Sequence, residues 1–505
     1  MLAAIPVAFT QSGTLDPSFG DLGITQIDFD QTGTADDVAS ILRFDSKGRT
    51  VICGTSGNGS YVGSSFSGSF WASVIVRLTT NHSPDSTFDG DGILILSKFG
   101  FRDFFINPDD KIILVDNPGG NEGLIIKQIN TDGSPDSTFG NKSEILIPDL
   151  SYSASILDNN GKLLVAGTNW IDDTNYYNIV RFNTDGSYDY TFGVDGKILI
   201  PSLNGQSFNF RLMNANDKIL LVGKIETDYT MDDFYIVRLN MDGSADSTFN
   251  NSGTFIFRDS KYDDEPSIAA VDDIGRILIG GGSSEISYER KFFSIVRLNY
   301  AGSIDSTFNG SGKLDIPGIT GSVRSILFDN NGNILFGGRE SFYYDSPVNM
   351  VKINDYGNLD TTFGTNGKIS IFRMYDYKLD SDNKILLAGS TDIFINPEDS
   401  LLKHERDFKI IRLDTNGASD QTFGSSGEIL IPIGNGGDEA RNMAFDNNGK
   451  IVLAGYSIIE GYNAESSIAR LNPDGSTDNS FFGYGKEILK GSDFDDYIVD
   501  VKIDS

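Results

Sequence analysis

Short apolar runs alternate along this chain with clusters of Gly, Asn and Asp, and none keeps an apolar face at helical spacing for long. Between residues 193 and 249 the pattern reads as four strands. Lys197–Ile200 is strand a, Phe208–Met213 strand b, Lys218–Val222 strand c and Phe234–Leu239 strand d. These runs are rich in β-branched and aromatic residues and end on Gly, as half-buried strands do. The b–c links repeat one turn chemistry, Asp158-Asn-Asn-Gly161, Asp329-Asn-Asn-Gly332 and Asp446-Asn-Asn-Gly449. Asn and Gly tolerate the positive φ that a tight hairpin needs. The expected class is all-β.

The pattern is periodic. Asp-x-(Ser/Thr)-Phe occurs nine times, ending at Phe19, Phe88, Phe139, Phe192, Phe249, Phe308, Phe363, Phe423 and Phe481, with the phenylalanines 51 to 69 residues apart. Self-similarity at such a period signals a repeat architecture. Four-stranded meanders repeated radially make a β-propeller. Eight complete a–d sets run from about residue 20 to Phe481, and a ninth begins at Gly485–Leu489. Eight blades are expected, with nine as the alternative. Residues 13–505 read as one propeller whose last repeat is incomplete. Residues 1–12, apolar and ending in small residues, read as a signal-peptide remnant or a first strand.

Composition adds limits. Thirty-five Phe and 20 Tyr among 505 residues supply a large core. A formal charge of −31 repels polyanions, so nucleic acid is not an expected partner. No run approaches the roughly 20 apolar residues of a membrane helix, so no membrane insertion is expected. Cys53 stands alone in Thr-Val-Ile-Cys-Gly, where other copies carry Ala before Gly, and reads as a buried structural thiol. A monomer is expected.

A cation in strand d lies eight residues before the motif Asp in seven repeats. The pairs are Arg77 and Asp85, Arg181 and Asp189, Arg238 and Asp246, Arg297 and Asp305, Lys352 and Asp360, Arg412 and Asp420, Arg470 and Asp478. A planar guanidinium suits a two-point carboxylate contact, so these read as a structural clamp across the d-to-a link. Gln128 fills the slot in the second repeat, which is therefore expected to lack the clamp. The motif Phe is expected to fill the seam between neighbouring blades. Asn240, Asp242, Ser244 and Asp246 alternate as in a calcium loop, but Ala301 and Tyr356 replace Asp242 in other copies. Asx-type turns account for them, so no cofactor or metal is expected, calcium being the one candidate.

With the repeat laid out, Ile-Val-Arg-Leu-Asn-x-Asp-Gly-Ser-x-Asp-Ser-Thr-Phe-Gly and its Phe-Asp-Asn-Asn-Gly-Lys-Ile turn resemble the delta-60 repeat of bacterial secreted proteins. The resemblance covers the chain from Gly13 on. It implies a propeller-like protein, secreted or held at the cell surface, and supplies no catalytic residues.

In a meander the a–b and c–d loops leave one face, while the b–c turns and d–a links leave the other. The irregular c–d loops carry aromatics and acids, Trp71 in the first, Trp170, Asp172, Asp173, Tyr176 and Tyr177 in the third, Tyr343 and Tyr344 in the sixth. Exposed aromatics on loops suit a protein or glycan ligand. These eight are the candidate binding residues, and a binding or adhesion scaffold is the expected function. Enzymatic signals are scarce. His82 and His404 lack partner spacing, and no zinc or phosphate-loop motif is present. A polysaccharide-active hydrolase or lyase, or a passive spacer, is the alternative.

Overall fold

The computed structural model describes residues 36–489 except 58–59, 63–64, 68–70, 81–83, 98–100, 118–122, 159, 172–173, 202–210, 216, 229–230, 259–261, 286–290, 340–346, 392–406, 434–436, 447, 459–463 and 482–484. The described residues form eight four-stranded antiparallel sheets, the blades of an all-β propeller, plus one small two-stranded ribbon. The blades span residues 36–97, 101–147, 151–201, 211–257, 262–320, 322–371, 374–431 and 438–489. Blades 1, 7 and 8 fall in one compact unit and blades 3 to 6 in another, and blade 2 contributes residues to both.

Blade 4 shows the build. Arg211–Ala215, Lys218–Asp228, Met231–Asn240 and Thr254–Phe257 pair in that order. Each blade therefore begins with strand b and ends with the strand a that follows the Phe motif. This corrects the expected unit, because Lys197–Pro201 pairs with the third strand of blade 3 rather than opening blade 4. Likewise Lys486–Leu489 completes blade 8 and does not begin a ninth. The reason is local. Arg238 N–H donates to Gly253 O and Asp246 N–H to Arg238 O, so the motif folds back within its own sheet.

The b–c turns of blades 1 to 3 and 5 to 8 share one mechanism. Oδ1 of Asp45, Asp158, Asp272, Asp329, Asp380 and Asp446 accepts the N–H groups two and four residues on. Asn107 does the same in blade 2.

Within each unit, neighbouring blades pack face to face. Leu220, Val222, Phe234 and Ile236 of blade 4 meet Ile277, Ile279, Val296 and Leu298 of blade 5. Leu386, Ala388, Phe408 and Ile410 of blade 7 meet Ala440, Met443, Leu453 and Ala469 of blade 8. The third strand of blade 8, Ala464–Leu471, is buried at every position.

Candidate functional site: seams, hairpin ends and strand bulges

The repeated cations and carboxylates form one unit at successive seams. In blade 4, Arg238 Nε donates to Asp246 Oδ2 at 2.8 Å, and Asp246 Oδ1 accepts the N–H and hydroxyl of Thr248. The guanidinium lies 4.6 Å from the centroid of Phe249, and its Nη1 donates to Tyr300 O in the next blade at 2.5 Å. The same set recurs at Arg77, Arg181, Arg297 and Arg412, whose Nη1 groups donate to the carbonyls of Thr131, Met241, Asp355 and Pro473. Arg470 pairs with Asp478 at 2.7 Å and lies over Phe481. Lys352 reaches Asp360 at only 3.8 Å and shares itself with Asp329 at 3.6 Å. In blade 2, Gln128 Nε2 donates to Asp136 Oδ2 at 2.8 Å, so a neutral donor meets the motif carboxylate where a cation does elsewhere.

Phe249 is fully buried, and a glycine of the next blade makes room for it. A Cβ on Gly302 would stand 2.3 Å from the Phe249 ring, and φ is +77° there. Asn250 N–H then donates to Ala301 O across the seam. Arginine, carboxylate, ring and glycine thus act as one joint between consecutive blades.

Of the eight candidate ligand residues, the structure describes the side chains of Trp170, Tyr176 and Tyr177, and these do not form one exposed patch. Trp170 stands in strand Leu163–Ile171, opposite Asn175, and is 63% exposed. Tyr176 sits opposite Asn169, so Trp170 and Tyr176 point to opposite faces of the sheet. Tyr177 is a correction. It is 1% exposed, packed in the core between blades 3 and 4 with its ring 6.3 Å from that of Tyr235. Trp170 and Tyr177 share a face, but Trp170 lies near the hairpin end whereas Tyr177, opposite Thr168, lies further in, where blade 4 covers it. Asp172, Asp173, Tyr343, Tyr344 and the side chain of Trp71 lie outside the described residues, as do His82 and His404.

Three features had no sequence signal. Exposed aromatics also occur at the other blade end, at Tyr190, Tyr300 and Tyr356 in the d–a links. An open cavity of about 400 Å³ lies at that end of blades 3 and 4, lined by Lys162, Arg181, Lys218, Asp158, Asp217 and Met241. Its cations are already engaged, Lys162 with Asp189 at 2.8 Å and Lys218 with Asp246 at 3.3 Å. Finally, the first strand carries a bulge in blades 1, 3, 5, 6, 7 and 8. A bulge re-aims one side chain. In blades 6, 7 and 8 that residue is Arg324, Tyr375 and Arg441.

Cys53 is buried, and burial pushes its thiol pKa far up, which removes it as a nucleophile. Among the described residues, no three metal-ligating side chains gather, and no helix is long and apolar enough to cross a membrane.

Five segments match one family. Residues 108–139, 159–192, 215–249, 381–423 and 447–481 fit the profile of a family described as a domain of unknown function (DUF5122) beta-propeller. Each segment runs through a third strand and ends on the motif Phe. No curated protein matches the chain. Among solved structures, a eukaryotic initiation factor aligns at 10% identity and TM-score 0.45, over 85% of this chain and 88% of that one. An ulvan lyase, described as a new family of polysaccharide lyase, aligns at 12% identity and TM-score 0.38, over 80% and 96%. Prolyl oligopeptidase B from Galerina marginata aligns at 11% identity and TM-score 0.37 over 77% of this chain, which spans 48% of that enzyme. None of these likenesses assigns a function.

Proposed function

We propose that this chain is a non-catalytic recognition module of the delta-60 repeat type, presented outside the cell, which binds a glycan through the c–d ends of its blades. The observation that carries the reading is Trp170, 63% exposed near the end of the blade 3 β-hairpin. An indole held on a rigid strand offers a flat apolar face at low entropic cost, and its N–H supplies a directional donor. That combination suits the mixed apolar and hydroxylated faces of a sugar ring. The extracellular setting is supported by the repeat resemblance.

The test is a glycan-array screen of the whole chain beside Trp170→Ala, each with and without calcium. Truncating an exposed side chain leaves stability within about 0.5 kcal/mol. The expected result is a glycan signal that falls at least tenfold in the variant at unchanged thermal stability. A signal equal in both proteins, or none in either, refutes the reading.

A further inference from the structure

Asparagine is chemically labile, most of all before glycine, where no Cβ hinders the backbone from attacking the side chain. The sequence has nine Asn-Gly steps. Six lie wholly among the described residues, beginning at Asn160, Asn309, Asn331, Asn366, Asn416 and Asn448. In five of them the glycine N–H is tied into a turn. Gly161 donates to Asp158 O, Gly332 to Asp329 O, Gly367 to Phe363 O, Gly417 to Asp414 O and Gly449 to Asp446 O, at 2.8–3.0 Å.

Gly310 differs. Its N–H donates to no group among the described residues, because Phe308 O takes the N–H groups of Ser311 and Gly312 instead. Asn309 and Gly310 are both exposed, and a Cβ on Gly310 would meet nothing within 4 Å. The Asn309 side chain is held by one hydrogen bond, from Nδ2 to Lys313 O at 2.8 Å. Releasing it takes a rotamer change. Releasing any of the other five glycine N–H groups means opening a turn. An amide N–H that meets water also loses its proton to hydroxide more readily than one donated to a carbonyl.

We propose that Asn309 is a modification site, at which the folded chain deamidates without an enzyme. Hydroxide takes the Gly310 amide proton, and the nitrogen forms a bond to Asn309 Cγ. The Cγ–Nδ2 bond breaks and ammonia leaves, its third hydrogen coming from water. Water then adds to either carbonyl of the five-membered imide, which opens to aspartate or isoaspartate. One water is consumed and one ammonia released, with no oxidation or reduction. Aspartate suits the slot, since blade 1 carries Asp89-Gly90 there, with Gly92 N–H likewise donating to Phe88 O. Isoaspartate instead inserts a methylene before Gly310. That shifts Gly312 from Phe308 O and from Arg297 N–H, which donates to Gly312 O at 2.9 Å, so the change is felt at the blade 5 joint.

The experiment is peptide mapping by mass spectrometry of the whole folded chain, held at about pH 8.5 and 37 °C, beside the same chain in guanidinium chloride. Deamidation is read as a gain of about 1 Da, and isoaspartate by enzymatic methylation. Among the six steps, Asn309 is expected to convert at least fivefold faster than any other in the folded chain. In denaturant that lead should vanish, because the five turns open with the fold. Another of the six converting as fast in the folded chain overturns the proposal. So does a lead for Asn309 that persists in denaturant, which would belong to the local sequence. A folded Asn309 that stays intact while the denatured one converts overturns it too.

Discussion

Replacing Arg297 by Met lowers the unfolding free energy by about 3–5 kcal/mol, the usual cost of removing one partner from a buried ion pair. Arg297 is wholly buried. Its Nε donates to Asp305 Oδ2 at 2.8 Å, its Nη1 to Asp355 Oδ1 at 3.0 Å and its Nη2 to Thr307 Oγ1 at 3.3 Å. Methionine covers Phe308 but leaves the Asp305 carboxylate without its cation, and the link to blade 6 through Asp355 is lost. Arg43→Met gives the contrast. Arg43 meets Asp103 at 3.3 Å with side-chain exposures of 38% and 22%, and solvent screening limits such a pair to about 0–1 kcal/mol. Urea titrations of the two variants check the difference. Equal midpoints would mean that the clamp contributes no more than a surface pair.

Acidification is expected to unfold the chain from below about pH 4, through the same carboxylates. Burial acts to raise the pKa of Asp85, Asp189, Asp246, Asp305, Asp420 and Asp478. Hydrogen bonds from the following Thr or Ser and the paired cations more than reverse this, leaving all six below the usual carboxylate range, Asp246 at about 2. A carboxyl depressed in the folded state contributes stability above its unfolded pKa of about 3.9 and loses it as pH falls through the folded value. The window therefore runs from about pH 4 to about 2 or lower. Asp264 works in the opposite sense. Burial pushes it up to about 6, against the pull of Lys313 at 3.4 Å and a hydrogen bond from Ser283. Its term is fully present below about 3.9 and is lost as pH rises through about 6. Asp264→Asn should thus flatten the slope between about pH 4 and 6 and leave the acid transition in place. Unfolding midpoints measured from pH 2.5 to 7 read both effects, and an acid transition absent above pH 2.5 would contradict the first.

Much of the fold could be read from residue order, because the repeat states the same four strands in every period and marks the turns with Asp, Asn or Gly. The eight-residue spacing of Arg238 and Asp246 likewise announced a contact, since only a fold-back returns those side chains to one another. Blade phase was not legible. A periodic string has no privileged starting point, and whether Lys197–Pro201 joins the sheet before or after it depends on hydrogen bonds rather than on residue type. The candidate site was legible only in part. Aromatic content marked the blade 3 hairpin, but Trp170 and Tyr177 share a face, and which of them is covered depends on how far along the strand blade 4 reaches. Tyr375 and Arg441 gave no signal at all. A bulge has no fixed residue signature, and the two meet across strands 66 residues apart in sequence.

The central functional claim is that recognition belongs to the c–d end of a blade and the repeated motif to its joints. Blade 3 offers both ends for comparison, with Trp170 at one and the cavity lined by Lys162 at the other. The deciding measurement is calorimetric binding of the best array glycan to wild type, Trp170→Ala and Lys162→Ala. Loss of at least tenfold in Trp170→Ala with Lys162→Ala unchanged is the predicted result. Retained binding in Trp170→Ala together with loss in Lys162→Ala would place recognition at the motif end and contradict the account.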